Sequence, residues 1–120
     1  MKKRLGIFAL ALVLAEGLTG GAAFAALDNY GAIATSDSGA WGYGYNYPTR
    51  AQAERAALEE CGDAGCEIQV WFKNACGAVA KDGTNLGWAW AESREEAEAN
   101  AVAECGTGAC KVATWACTDR

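Results

Sequence analysis

The chain contains no histidine, a single proline (Pro48) and a single methionine, Met1. Without imidazole it lacks the commonest general base at neutral pH and the commonest metal ligand. With one proline it has no proline-rich linker. Basic residues are few: ten Lys and Arg stand against fifteen Asp and Glu, a formal net charge of −5. Nucleic acid and anionic membrane both call for a basic patch, so neither is an expected partner. No apolar run reaches the length of about 20 residues that crosses a bilayer core.

The longest apolar run, Leu5 to Ala15, follows Lys2, Lys3 and Arg4 and precedes the small-residue stretch "GGAAFA". That order is the pattern of a secretory leader. Ala23 and Ala25 fit an A-x-A cleavage site, and Glu16 is the one atypical residue. The expectation is a cleaved signal peptide over 1–25 and one domain over 26–120, bacterial, exported to the periplasm or secreted, with no stable membrane anchor after cleavage. Residues 26–120 hold seven Lys and Arg against fourteen Asp and Glu, so their net charge is −7. A domain of this size has one modest core.

That domain contains itself twice. "YGAIA" at 30–34 answers to "CGAVA" at 76–80, "WGYGY" at 41–45 to "LGWAW" at 86–90, and "AERAALEEC" at 53–61 to "AEANAVAEC" at 97–105. Cys66 maps to Cys110 and Trp71 to Trp115. Repeat 1 covers about 30–75 and repeat 2 about 76–117, and each reads strand, strand, helix, strand. In the second strands Trp41, Tyr43, Tyr45 and Tyr47 alternate with Gly42, Gly44 and Asn46, and Leu86, Trp88 and Trp90 with Gly87, Ala89 and Ala91, the period of two of a strand. "TSDSG" and "KDGTN" are turn chemistry. Thr49 with Gln52 and Ser93 with Glu96 are capping boxes that open helices, and Gly62 and Gly106 stand where helices end. Ala53, Ala57 and Cys61, like Ala97, Ala101 and Cys105, make a slim apolar stripe. The expected fold is α+β: a duplicated unit with pseudo-two-fold symmetry, its antiparallel sheet packed by two Ala-rich helices and stapled by disulfides.

The six cysteines admit two chemistries. C-x4-C pairs at Cys61/Cys66 and Cys105/Cys110 fall within zinc-ligand spacing, but an exported chain meets oxidising conditions in which an even cysteine count closes into bridges. The first cysteine of each pair ends a helix, away from the helix start that activates a redox thiol. Disulfides are therefore expected, and no metal or other cofactor. A pairing that respects the repeat is Cys61–Cys66, Cys105–Cys110 and Cys76–Cys117, the last joining the two units; other symmetric pairings remain open.

The duplicated "YGAIA…WG…AE…A…C…C" pattern, with "NACGAVA" joining the halves, resembles the small exported bacterial domain catalogued as domain of unknown function 4189. The resemblance runs from about Tyr30 to Cys117. It implies a secreted or periplasmic, disulfide-bearing α+β domain, and it carries no catalytic residue over to this chain.

No catalytic group stands out in the residues themselves. Ser36 and Ser38 lie in a turn and Ser93 caps a helix. Glu54, Glu59, Glu60, Glu95, Glu96, Glu98 and Glu104 read as solvated helix faces, and Asp37 and Asp82 as turn formers. The aromatic set is more informative. Residues 26–120 hold nine Leu, Ile and Val against ten Phe, Trp and Tyr, so several aromatics must be buried. The expectation is that the aromatic stripes face the alanine helices, large groups opposite small. The alternative is a partly exposed stacking site of Trp41, Tyr43, Tyr45, Trp88 and Trp90. The function expected is non-catalytic binding of another exported or envelope protein. The alternatives are a glycan or peptidoglycan binder using that aromatic set and a small carboxylate-dependent hydrolase.

Overall fold

The computed structural model describes residues 28–119; the leader expected over 1–25 lies outside the described residues. The element order is β1 (Tyr30–Thr35), β2 (Trp41–Tyr47), α1 (Arg50–Cys61), β3 (Glu67–Lys73), β4 (Cys76–Lys81), β5 (Leu86–Ala91), α2 (Arg94–Cys105) and β6 (Lys111–Cys117). The unit of strand, strand, helix, strand therefore occurs twice. Both helices begin where a hydroxyl accepts a backbone hydrogen bond: Gln52 N–H donates to Thr49 Oγ1 and Glu96 N–H to Ser93 Oγ, each at 3.2 Å. Both end on a left-handed glycine, Gly62 at φ 72° and Gly106 at φ 90°, a conformation that costs glycine nothing.

The strands divide between two antiparallel three-stranded sheets, ordered β2-β1-β3 and β5-β4-β6. Each has its unit's first strand at the centre. The third strands bulge at equivalent places: Ile33 pairs with Val70 and Ala34 with Ile68, while Val79 pairs with Thr114 and Ala80 with Val112. The unpaired residues are Gln69 and Ala113. The sheets stack face to face with one helix on each outer face, giving four layers, α1, sheet, sheet, α2.

Three apolar layers follow from this stacking. Ala32, Ala34, Ala53, Ala57 and Cys61 fill the space under α1, and Cys76, Ala78, Ala80, Ala97, Ala101 and Cys105 the space under α2. Between the sheets lie Ile33, Val70, Phe72, Val79 and Ala116, with Tyr43 partly buried beside them. Among the described residues Phe72 is the largest fully buried side chain, and a Cβ on Gly31 would fall 2.3 Å from its ring and one on Gly77 2.5 Å from the ring's other edge. Gly31 and Gly77 are equivalent positions of the two units. One phenyl ring thus occupies the centre of the pseudo-symmetric core, and the residue equivalent to it is the small Ala116. Full burial of such a side chain contributes about 1.5–3 kcal/mol.

The aromatic stripes do not face the helices, contrary to the expectation from composition. A Cβ on Gly42 would lie 2.3 Å from Cys61 N, and one on Gly87 2.2 Å from Cys105 N. The helices sit so close over Gly42, Gly44 and Gly87 that no large side chain fits at those positions, and the alternation then turns Trp41, Tyr43, Tyr45, Trp88 and Trp90 to the opposite side. Of these only Tyr43 reaches the core between the sheets.

Three disulfides are present, Cys61–Cys66, Cys105–Cys110 and Cys76–Cys117. The first two tie each helix end to the strand that follows. The third does not join the two units: Cys76 and Cys117 are register partners on β4 and β6, so the bridge closes the second sheet. Its counterpart in the first sheet is the non-covalent pair Tyr30 and Lys73, with the ammonium 6.0 Å from the ring centroid.

Candidate functional site

Stacking two sheets of opposite order places β3 across from β5 and β2 across from β6. A lateral groove opens along each of these edges, and the pseudo-two-fold axis exchanges the two. The larger has a volume of about 1080 Å³ and is bounded by Gln69, Trp71 and Lys73 on β3, Trp88 and Trp90 on β5, and Asn100, Ala103 and Glu104 on α2. The smaller, about 460 Å³, runs between Trp41, Tyr43 and Tyr45 on β2 and Ala113 to Cys117 on β6, with Asp119 at its end.

The five aromatics singled out in the sequence therefore form two groups rather than one site. In the smaller groove Trp41 and Tyr43 stack with centroids 5.6 Å apart, and Tyr45 follows 5.8 Å from Tyr43. In the larger groove Trp88 and Trp90 are 45% and 59% exposed. Two residues apart on one strand, their indoles are spaced by about 7 Å. Sequence reasoning missed the groove's other walls. Gln69, Lys73, Asn100 and Glu104 are surface polar residues whose convergence depends on how the sheets stack. Trp71 carried a signal, because in "EIQVWFK" it alternates with the inward Val70 and Phe72.

Trp71 and its repeat partner Trp115 are covered in the same way. The Arg50 guanidinium lies 4.5 Å from the Trp71 centroid and that of Arg94 3.7 Å from Trp115. Each arginine is oriented by the helix residue four positions on: Arg50 Nε donates to Glu54 at 2.7 Å and Arg94 Nε to Glu98 at 3.0 Å. Such cation–π contacts contribute about 0.5–1 kcal/mol at exposed sites. Trp71 stays 39% exposed beside its arginine, and Trp88 and Trp90 are the more exposed indoles of the larger groove.

At one end of the molecule each hairpin is tied to the loop after its unit's helix, with the partners' roles reversed. In the first unit Ser36 and Ser38 donate to Asp63, Ser36 at 2.9 Å. In the second the carboxylate is on the hairpin, and Thr107 donates to Asp82 at 2.6 Å. The Ser38 hydroxyl, the Gly65 N–H and the Ser36 hydroxyl hold Asp63 below the usual carboxylate range. The Thr107 hydroxyl, with the side chain and backbone of Asn85 and the backbone of Thr84, holds Asp82 far below it. A general acid needs the opposite shift.

Asp82 also completes the single three-ligand grouping among the described residues, with Cys105 and Cys110. Those two sulfurs are bonded to each other, so they offer no thiolate to a metal. The helix carboxylates Glu54 and Glu98 are engaged by arginine, and Glu60 by the backbone of Tyr43. The chemistry assembled by the grooves is stacking on exposed indoles between polar rims.

Comparison with known proteins places the fold. The curated Mycobacterium tuberculosis protein Rv1269c and the Mycobacterium bovis protein Mb1300c are each 53% identical over 55 residues, 46% of this chain and 44% of theirs. The uncharacterized protein Rv1813c of Mycobacterium tuberculosis is 48% identical over 56 residues, 47% of this chain and 38% of its own. The chain thus matches these curated relatives over less than half of their length. The NMR structure of Rv1813c superposes with a TM-score of 0.59 at 39% identity, covering 74% of each chain. The family described as a domain of unknown function (DUF4189) matches residues 30–117, spanning β1 to β6, and the chain belongs to that family.

Proposed function

We propose that the chain is a non-catalytic binding domain that works outside the cytoplasm and takes a protein partner in the groove between β3, β5 and α2. The observation that carries this reading is the exposure of Trp88 and Trp90 on an outer strand, at 45% and 59%. Tryptophan is among the residues that most often anchor protein interfaces, and a cluster left in water marks a surface that another molecule covers. Lys73 and Glu104 supply a charged rim of the kind that fixes register around such anchors. Three disulfides suit an oxidising compartment, where they compensate for the small core.

The test is a photo-crosslinking residue at position 90, expressed in the source bacterium, with adducts identified by mass spectrometry. The expected result is one dominant protein adduct that a control probe at Thr84, on the hairpin, does not give. An adduct pattern identical at both positions removes the reading. A second reading, a glycan ligand, is favoured by the amides of Gln69 and Asn100 beside the indoles, a set of groups suited to hydroxyl-rich rings. It predicts a saturable change in tryptophan fluorescence with soluble peptidoglycan fragments, lost in Trp88→Ala and Trp90→Ala.

A further inference from the structure

The two units finish their outer strands differently. On β2 the backbone N–H of Tyr43 donates to Glu60 Oε1 at 2.9 Å, so a helix side chain plugs an outward-facing backbone donor. Trp88 pairs with Val79 as Tyr43 pairs with Ile33. The shared antiparallel register aims the Trp88 N–H outward in the same way. The residue equivalent to Glu60 is Glu104, yet among the described residues no side chain accepts from Trp88 N–H and Glu104 takes no hydrogen bond or ion pair. The β1–β2 pairing is further broken by a register shift, and β2 carries Asn46 at φ 66°. The β4–β5 register runs unbroken from Cys76 and Ala91 to Lys81 and Leu86. β5, "LGWAWA", has no charge and no proline. Bulges, charges and prolines are among the devices that blunt a sheet edge, and a side chain that accepts from an outward N–H acts in the same sense; β2 has such a plug and a bulge, and β5 has neither of these, no charge and no proline.

We propose that β5 is left open to receive an extended segment of the partner as an added strand. This rests on the protein-partner reading of the same groove and gives its mode of recognition. The space beside β5 is the groove itself, walled by Asn100, Ala103 and Glu104. An added strand satisfies the outward backbone groups of Trp88 and Trp90, and alternate side chains of the strand pack against the two indoles. Glu104, with its carboxylate unspent in an acidic domain, selects a Lys or Arg at the position opposite it. The segment recognised is thus extended, alternately apolar and basic at one site.

Random decapeptides displayed on phage, selected on the oxidised chain, supply the probe. The best binder is synthesised with each backbone amide N-methylated in turn, and its Kd is read by tryptophan fluorescence. Strand addition predicts that methylation weakens binding at least tenfold at alternate positions and little at those between. Glu104→Gln should weaken the same peptide several-fold. Loss without that alternation, or none at all, overturns strand addition while leaving a groove-bound partner standing. No enrichment on the natural chain over a Trp88→Ala, Trp90→Ala variant overturns both. Concentration-dependent dimers in sedimentation velocity, abolished by Trp90→Lys, would make a second copy the occupant and overturn the partner segment.

Discussion

Gly87→Ala probes the tightest approach found at any described glycine. Alanine is ordinarily the better residue in a strand interior, by about 0.5–1 kcal/mol. Here the added methyl would sit 2.2 Å from Cys105 N, 2.4 Å from Ala101 O and 2.7 Å from Cys105 Cα, whereas ordinary contact begins at 3.4 Å. All three atoms are helix backbone, so no side chain can swing away, and α2 must retreat by roughly 1.2 Å at its C-terminal end. That retreat opens the layer in which Ala97 and Ala101 are fully buried. Overpacking of this kind costs about 1–3 kcal/mol, and backbone contact argues for the upper end. Gly83→Ala is the control, because nothing lies within 4 Å of its added methyl. Urea unfolding with the bridges intact, followed by tryptophan fluorescence, should lower the midpoint of Gly87→Ala by about 1–2 M at a slope of about 1.5 kcal/mol/M. Gly83→Ala should leave it unmoved. A Gly87→Ala midpoint at or above that of the natural chain would refute the seating of α2 on glycine, and with it the reason the indoles point outward.

Two further predictions concern the staples and the hairpin ties. Replacing Cys76 and Cys117 by alanine should destabilise by about 4 kcal/mol, against about 2 for either short bridge, because the loops closed are 41 and 5 residues in sequence separation and loop entropy grows with length; calorimetry of the three double variants ranks them. Asp63 and Asp82 both titrate below 3.8 when folded, so their contribution to stability is present above about pH 3.8 and disappears as pH falls through their lower folded values. Asp82→Asn should flatten that acid limb of a urea-midpoint profile, and an unchanged limb would remove the role given to the Thr107 tie.

The elements were legible in the sequence because local chemistry determines them. Thr49 and Ser93 cap the helices, Gly62 and Gly106 end them, and the repeat names each strand twice. The side on which the aromatics lie was not legible in the same way. A period of two says that Trp88 and Gly87 face opposite ways, but it does not say which faces α2. Composition argued for filling the core with large groups, while the structure brings helix backbone onto strand backbone and leaves no room for them. The signal that could have decided it was small facing small: Gly42 and Gly44 with Ala53 and Ala57, and Gly87 with Ala101. The groove was further from view, since Gln69, Lys73, Asn100 and Glu104 meet only through the stacking of two sheets. The difference between Glu60 and Glu104 was invisible, because both are helix glutamates one residue before a cysteine.

The single ring at the centre also limits how alike the two units can be. Two identical units would bring either two phenyl groups or none to the space that Phe72 fills between Gly31 and Gly77. The chain instead places Phe72 in one unit and Ala116 at the equivalent position of the other. The halves are therefore not interchangeable, and a tandem fusion of two copies of the first should fail to close its core.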